Sequence, residues 1–413
     1  MSTEAVEPVE VERVSPPFKR DRLAHLWIVT RAMSGFTDTI WGIGLAWTAV
    51  QVGSPAAAGV VVAAGTVPRA LLVLFGGAFA DRFDVRQVLI WSNVGHLAAL
   101  VAVGVAATAT EPSYPLLIAA AAFLGACDAM YEPAASTIAR QIIHPSDLPA
   151  YVGVYQTVGR LGELFGSAAG GVVVAYWSIQ GTATLNAVAF GGVLLVVIFG
   201  LRLRYPTEKP AESGSILGDV LEGFKHLRGA PVTRTLVLSQ MLLNVFIVPP
   251  LGLGIALRTK ELGLGAEVVG YVGVAVGVGA TLGALLSVRF KSRFPARLAY
   301  TLFAIEGLAI VLLGVGGVET LYAGAVIMGL CAGAASAMLG AVFIAQLKGE
   351  FMGRMMALTQ VGDECLIPLG TVGFGLLVGA TSATVGLAVF GSAMFVAMAL
   401  PLRSAAIRNI AAS

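Results

Sequence analysis

Apolar runs alternate with short polar intervals along almost the whole chain. Residues 1–22 are the exception: they are polar, contain Pro8, Pro16 and Pro17, and read as a disordered tail, not a cleavable leader. Twelve predominantly apolar stretches follow, at 24–50, 57–79, 87–109, 114–140, 149–176, 181–201, 232–256, 267–288, 298–316, 320–345, 354–378 and 384–402. Each is long enough to cross roughly 30 Å of hydrocarbon as a helix. Lipid offers the backbone no hydrogen-bond partners, so each stretch has to satisfy itself as a helix. The longest polar interval after the tail, 202–231, divides the stretches six and six. The expected fold is therefore all-α and polytopic, with twelve transmembrane helices. The expected organisation is a tail at 1–22, a six-helix bundle at 23–201, a linker at 202–231, a second six-helix bundle at 232–403 and a tail at 404–413.

Composition supports the pattern. The chain is 57% hydrophobic and 12% charged, against roughly 25% charged in soluble domains. A net charge of +2 gives no reason to expect a nucleic-acid partner. Cys127, Cys331 and Cys365 all fall inside apolar runs and read as packing residues, with no metal set. Of the 26 lysines and arginines, only Arg258 and Lys260 fall in loops on one side, and Arg31, Arg69 and Arg160 lie within or near spans. All the others share the side of the two termini. The positive-inside bias places both termini in the cytoplasm; the expected protein is a multi-pass protein of the cell membrane, surrounded by lipid and working as a monomer.

Between the second and third stretches the chain reads GGAFADRFDVRQVL, residues 76–89. Gly77, Asp81, Arg82 and Arg86 resemble the G-x-x-x-D-R-x-G-R-R signature of the major facilitator superfamily, with Asp84 and Val85 in place of its glycine and first arginine. That resemblance implies two pseudo-symmetric six-helix bundles, a substrate site near the midplane between them, and a gating role for this turn. A charge pair that holds in one conformation and parts in another biases a two-state transporter.

The halves echo each other: YQTVGR at 155–160 resembles LTQVGD at 358–363. The fifth stretch carries GELFGSAAGG, in which Gly162, Gly166, Gly170 and Gly171 resemble the antiporter signature G-x-x-x-G-P-x-x-G-G, with Ser167 in place of proline. Read from the residues alone, the same glycines are small contacts that let helices approach closely.

Ionisable groups at membrane depth cost at least ~2.5–3.5 kcal/mol and need a partner, water or a role. Those singled out are Asp38 in the first stretch, Asp128 and Glu132 four residues apart in the fourth, Arg160 and Glu163 in the fifth, Glu306 in the ninth, and Asp363 and Glu364 in the eleventh. The superfamily resemblance implies that the first, fourth, seventh and tenth helices line the cavity, which places Asp38, Asp128 and Glu132 on it. Carboxyls close together in a low-dielectric site hold protons more tightly, as proton coupling requires. The seventh stretch offers only Gln240 and Asn244, so the proton site is expected in the first half. The alternative is that Asp38, Asp128, Glu132 and Glu163 form structural salt bridges with Arg31, Arg69 or Arg160. His96 reads as a packed, hydrogen-bonded histidine. Phe36, Trp41, Tyr131, Tyr155 and Phe246, with Gln240 and Asn244, are candidates to line a substrate cavity.

There is no Walker-type loop, nucleophile elbow or zincin motif, and enzymatic, metal and cofactor chemistry are not expected. SGFTDT, GSPAAAGVV and ADRFDVRQVL together resemble the macrolide-efflux and siderophore-export branch. The branch implies a proton antiporter exporting amphipathic drugs, antibiotics or secondary metabolites. A lipid flippase or proton-coupled importer of the same fold, or a non-transporting receptor or scaffold, remain alternatives.

Overall fold

A computed structural model describes residues 14–75, 84–205, 225, 227–290, 292–346 and 349–410. The first span, α1 (Arg22–Val52), starts at Asp21, whose carboxylate caps the Leu23 and Ala24 amides at 3.0 and 3.3 Å. The second, α2, comes in two pieces, Pro55–Ala64 and Val67–Phe75. Ser54 caps the first piece, with Pro55 at its start. The break lies where Pro68 lacks the N–H that would continue the hydrogen-bond ladder. Then come α3 (Val85–Ala109) and α4 (Tyr114–Ile142). Helical backbone from Leu148 to Leu195 contains two spans, α5 (148–177) and α6 (179–195 and Val196–Gly200). The chain reverses between them at Ser178, whose φ of 54° and ψ of −158° are a conformation natural to glycine.

In the second half, α7 runs from Pro231 to Pro249 and on through Pro250–Gly254 to Ile255–Glu261. Its irregular middle segment follows from two consecutive prolines. The remaining spans are α8 (Ala266–Arg289), α9 (Pro295–Gly314), α10 (Val318–Gln346), α11 (Gly349–Ala380) and α12 (Ala383–Ala399). Among the described residues, ten helical segments are long and apolar enough to cross a membrane. One of them covers both α5 and α6, and α1, with Arg31 and Asp38 inside it, completes the twelve. The twelve expected stretches match these helices to within a few residues, apart from the break in α2.

Each half packs on itself. In the first, α1 lies along the α5–α6 pair, and α3 packs on α4 and that same pair. In the second, α8 packs on α10, and α9 on α10 and α12. The halves meet along two crossings, α5 with α8 and α2 with α11. Both crossings put glycine on glycine. A Cβ on Gly171 would lie 2.9 Å from the Gly270 Cα, and one on Gly375 would lie 3.1 Å from the Gly59 Cα. Gly171 and Gly375 occupy the fifth helix of each half, so the two crossings are counterparts. The other signature glycines in α5 face α1: a Cβ on Gly162, Gly166 or Gly170 would meet Ala32, Phe36 or Ile40 backbone atoms within 3.2 Å. The Ser167 carbonyl lies beside Gly270 in the α5–α8 crossing.

Both crossings lie in the half of the molecule away from the termini. There Lys260 Nζ donates to the Val50 carbonyl at 2.6 Å, placing a cation on the C-terminus of α1 from the opposite half. Arg258 donates to the Gly316 carbonyl at 2.6 Å and to Thr384 Oγ1 at 3.0 Å. The two cations that break the charge bias are thus held at this far end. Toward the termini, Glu132 and Glu163 keep 53% and 60% of their side-chain surface and Arg160 keeps 82%. The far end is thus closed by contacts between the halves, while these three charged side chains keep half or more of their surface.

Leucine at Gly171 or Gly375 is expected to hold the far end apart. Cysteines introduced on either side of the crossing should become reactive to a membrane-impermeant thiol reagent in the variant while remaining protected in the parent. Ser178→Gly should raise stability by ~1 kcal/mol, because glycine reaches this backbone conformation without strain; thermal unfolding in detergent reads the gain.

Candidate functional site

α1 carries Arg31 and Asp38 two turns apart on one face. Arg31 reaches α4, where its Nη2 donates to Glu132 Oε2 at 2.6 Å. Its guanidinium carbon stands 4.7 Å from the centre of the Tyr155 ring and 5.8 Å from that of Tyr131. Only 6% of the Arg31 side chain is exposed, so a carboxylate and two ring faces replace the water it has lost.

Asp38 faces a different partner. Asn186, on α6 and fully buried, donates Nδ2 to Asp38 Oδ1 at 3.3 Å. The Asn186 Oδ1 accepts from Thr37 Oγ1 at 2.9 Å. Asp38 is also within electrostatic reach of Asp128, His96 and Glu132.

The third contact ties α3 to α4. His96 is buried and stacked flat on Phe190, with ring centres 4.1 Å apart and planes at 4°. Its Nδ1 lies 3.1 Å from the Ser92 carbonyl and its Nε2 2.9 Å from Asp128 Oδ1. A carbonyl only accepts, so Nδ1 carries a hydrogen. The bond to Asp128 then requires a second hydrogen, on Nε2 of an imidazolium or on the carboxyl itself. In either form the pair stores a proton between two helices.

The structure therefore gathers Asp38, Asp128, Glu132 and Arg31, all expected from the sequence, and adds His96, Asn186 and Thr37. Although Arg31 and Asp38 share a helix face, they take separate partners. Glu163 stands apart, paired with Arg160 at 3.5 Å on the exposed side of α5. Arg69 turns away from the first-half acids and meets Glu364 of α11 at 3.4 Å, a contact between the two halves. In the second half, Asn244 Nδ2 donates to Asp363 Oδ2 at 2.9 Å, while Glu306 is wholly buried with neither oxygen hydrogen-bonded among the described residues. His96 is packed and hydrogen-bonded as the sequence implied, but its partner is one of the candidate acids. Asn186 was overlooked; the signal available was an amide alone in the apolar run of the sixth span.

The proposed cavity aromatics divide. Trp41 and Tyr131 are buried in the apolar cores. Phe246 packs edge-on against Phe390 at 5.9 Å. Phe36, Tyr155 and Gln240 are partly exposed.

Of the gating signature, Gly77, Asp81 and Arg82 lie outside the described residues. Arg86 donates Nε and Nη2 to the Val197 and Ile198 carbonyls at 3.3 and 2.6 Å, holding the end of α6 to the start of α3. Asp84, which replaces the signature glycine, caps α3 through the Arg86 amide at 2.7 Å. Among the described residues no cluster of three or more His, Cys, Asp or Glu has the arrangement of a metal site.

Compared with known proteins, the profile of the Major Facilitator Superfamily matches residues 27–316. Multidrug efflux pump Tap of Mycolicibacterium fortuitum is 26% identical over 225 residues, covering 52% of this chain and 54% of the pump. A Na(+), Li(+), K(+)/H(+) antiporter of Planococcus maritimus is 24% identical over 184 residues, covering 42% of this chain and 41% of the antiporter. The chain thus spans about half the length or less of these curated relatives. Among solved structures, the nucleoside transporter NupG superposes with a TM-score of 0.71 at 15% identity, over 91% of this chain and 97% of that one. A bacterial homologue of the human lysosomal transporter Spinster, inward-facing and unoccupied, superposes with a TM-score of 0.69 at 14% identity, over 94% and 97%.

Glu132→Gln should cost ~1–2 kcal/mol in thermal unfolding. That is below the ~3–5 kcal/mol for breaking a fully buried pair, because Glu132 is half in solvent while Arg31 is not. Glu163→Gln, on an exposed pair, should change stability by no more than ~1 kcal/mol.

Proposed function

The chain belongs to the major facilitator superfamily, and from that membership we propose that it is a secondary active transporter exporting amphipathic drugs, antibiotics or secondary metabolites in exchange for protons. The observation that carries this reading is the ionisable cluster of the first half: Asp38, the His96–Asp128 bridge and the Arg31–Glu132 pair lie within interaction range of one another in a multi-pass membrane protein. Its matches to an efflux pump and a cation/proton antiporter point the same way.

In this reading both termini are cytoplasmic and the protein works as a monomer. Substrate enters from the cytoplasm at the end bearing the termini. Phe36, Tyr155, Gln240 and Asn244 offer apolar and polar contacts, and Glu132 offers a carboxylate already half-exposed. Binding of a cationic amphipathic substrate near Glu132 weakens the hold of that carboxylate on Arg31. Protons and substrate then compete for the same set of carboxylates. Export requires the far end to part at the Gly171–Gly270 and Gly59–Gly375 crossings. The Lys260–Val50 and Arg69–Glu364 contacts between the halves are the polar ties released with them. Arg86 keeps α3 and α6 together, so the first half moves as one body.

The test is transport of ethidium by purified protein in liposomes under an imposed pH gradient. Movement opposite to proton flow is expected, with Asp38→Asn and Glu132→Gln reduced about 5–150-fold, the range of a coupling free energy of ~1–3 kcal/mol. Gradient-independent movement, or variants equal to wild type, would sink proton antiport. The same vesicles loaded with Na⁺ in place of ethidium test alkali-cation exchange, the activity in the name of the second relative.

A further inference from the structure

Asn186 holds Asp38 in a way that works with the carboxyl charged or neutral. As placed, the amide nitrogen donates to Asp38 at 3.3 Å, and the amide oxygen accepts from Thr37 Oγ1 at 2.9 Å. That arrangement suits a carboxylate, which only accepts. The Thr37 hydroxyl has two further acceptors in reach, the Ser34 carbonyl at 3.1 Å and the Met33 carbonyl at 3.2 Å. Its single hydrogen can therefore turn from Asn186 to the α1 backbone.

A half-turn of the Asn186 amide exchanges its oxygen and nitrogen. The oxygen then faces Asp38 and accepts a hydrogen from its protonated carboxyl. The nitrogen faces Thr37 and donates to Oγ1, while the Thr37 hydroxyl donates to Ser34 or Met33. Every polar group keeps a partner in both arrangements, and no helix moves. Thr37 and Asn186 are 4% and 1% exposed, so the amide and the hydroxyl, unlike the partly exposed Asp38 carboxyl, have no water at hand to replace a lost partner. A buried group left without its partner in one protonation state costs ~1–3 kcal/mol, and the inversion avoids that cost.

We propose that Asn186 and Thr37 form an invertible hydrogen-bond pair that positions Asp38 and reverses direction each time Asp38 gains or loses its proton. The proposal rests on the proton-exchanging role of Asp38 given above. The charged and titratable groups facing Asp38 are His96 from α3 and Asp128 and Glu132 from α4, while α6 presents Asn186 itself. Asn186 is thus the contact whose polarity can follow the proton without adding a charge. It touches neither substrate nor a second titrating group, and is a positioning residue.

The test is pH-jump infrared difference spectroscopy on the full chain in liposomes, with ¹³C-labelled asparagine to mark the amide carbonyl. In wild type, protonation should give a carboxylic-acid band that disappears in Asp38→Asn, together with a shift of the labelled amide band. Asn186→Leu should remove the amide shift and displace the acid band, whose hydroxyl has lost its acceptor. Thr37→Val, close in shape and mild in its effect on folding, should alter the amide shift while keeping the acid band. An Asp38 acid band with a silent amide overturns the inversion and leaves proton exchange at Asp38 standing. If no band depends on Asp38, both the inversion and the role of Asp38 in coupling fall.

Discussion

A charge or polar group inside a membrane-spanning bundle has to be matched by another group of the protein, because lipid cannot match it. In the first half this requirement sets which helices neighbour which. Arg31 and Glu132 tie α1 to α4, His96 and Asp128 tie α3 to α4, and Thr37, Asn186 and Asp38 tie α1 to α6. Four of the six helices of that half are thus joined through their polar residues, and the joints lie close enough to sense one another electrostatically. Among the described residues the second half is tied by Asn244–Asp363, Ser239–Tyr300 and Arg258–Thr384.

The contacts between the halves obey a different rule. Their closest points are backbone against backbone at glycine, with a few polar ties at their edges. Side chains pack beside these close points: Leu164 of α5 lies against Gly277 of α8, and one buried apolar cluster holds Val50 and Val61 of the first half with Leu253 and Phe374 of the second. Within each half, large side chains such as Trp27, Phe190 and Tyr300 are fully buried.

Several departures from the superfamily signatures have local physical explanations. Asp84 replaces a glycine in the turn before α3, but a capping residue serves as well where the helix begins at that point. Ser167 replaces the proline of the fifth-helix signature. Its Oγ donates to the Glu163 carbonyl at 2.9 Å, an i−4 bond that loosens the helix ladder more gently than proline does. The glycines around it keep both neighbours: α1 on one side and α8 on the other.

The sequence by itself determined the helices, their approximate limits and the list of ionisable residues inside them. These depend on hydrophobic length and on charge, quantities carried by each residue and its chain neighbours. Which acid meets which base was decided only by tertiary structure, because helix crossing angles and depths set distances between residues far apart in the chain. Arg31 lies two turns from Asp38 on one helix, yet pairs with Glu132 on another. Arg69 lies within the first half, yet answers Glu364 in the second. Glu163, equal to the others as a sequence signal, is on the exposed side of α5 and joins none of them. Asn186 carries no charge and stood out little in the sequence. Its importance comes from lying beside Asp38 with Thr37 behind it, and only the packing of α1 against α6 creates that arrangement.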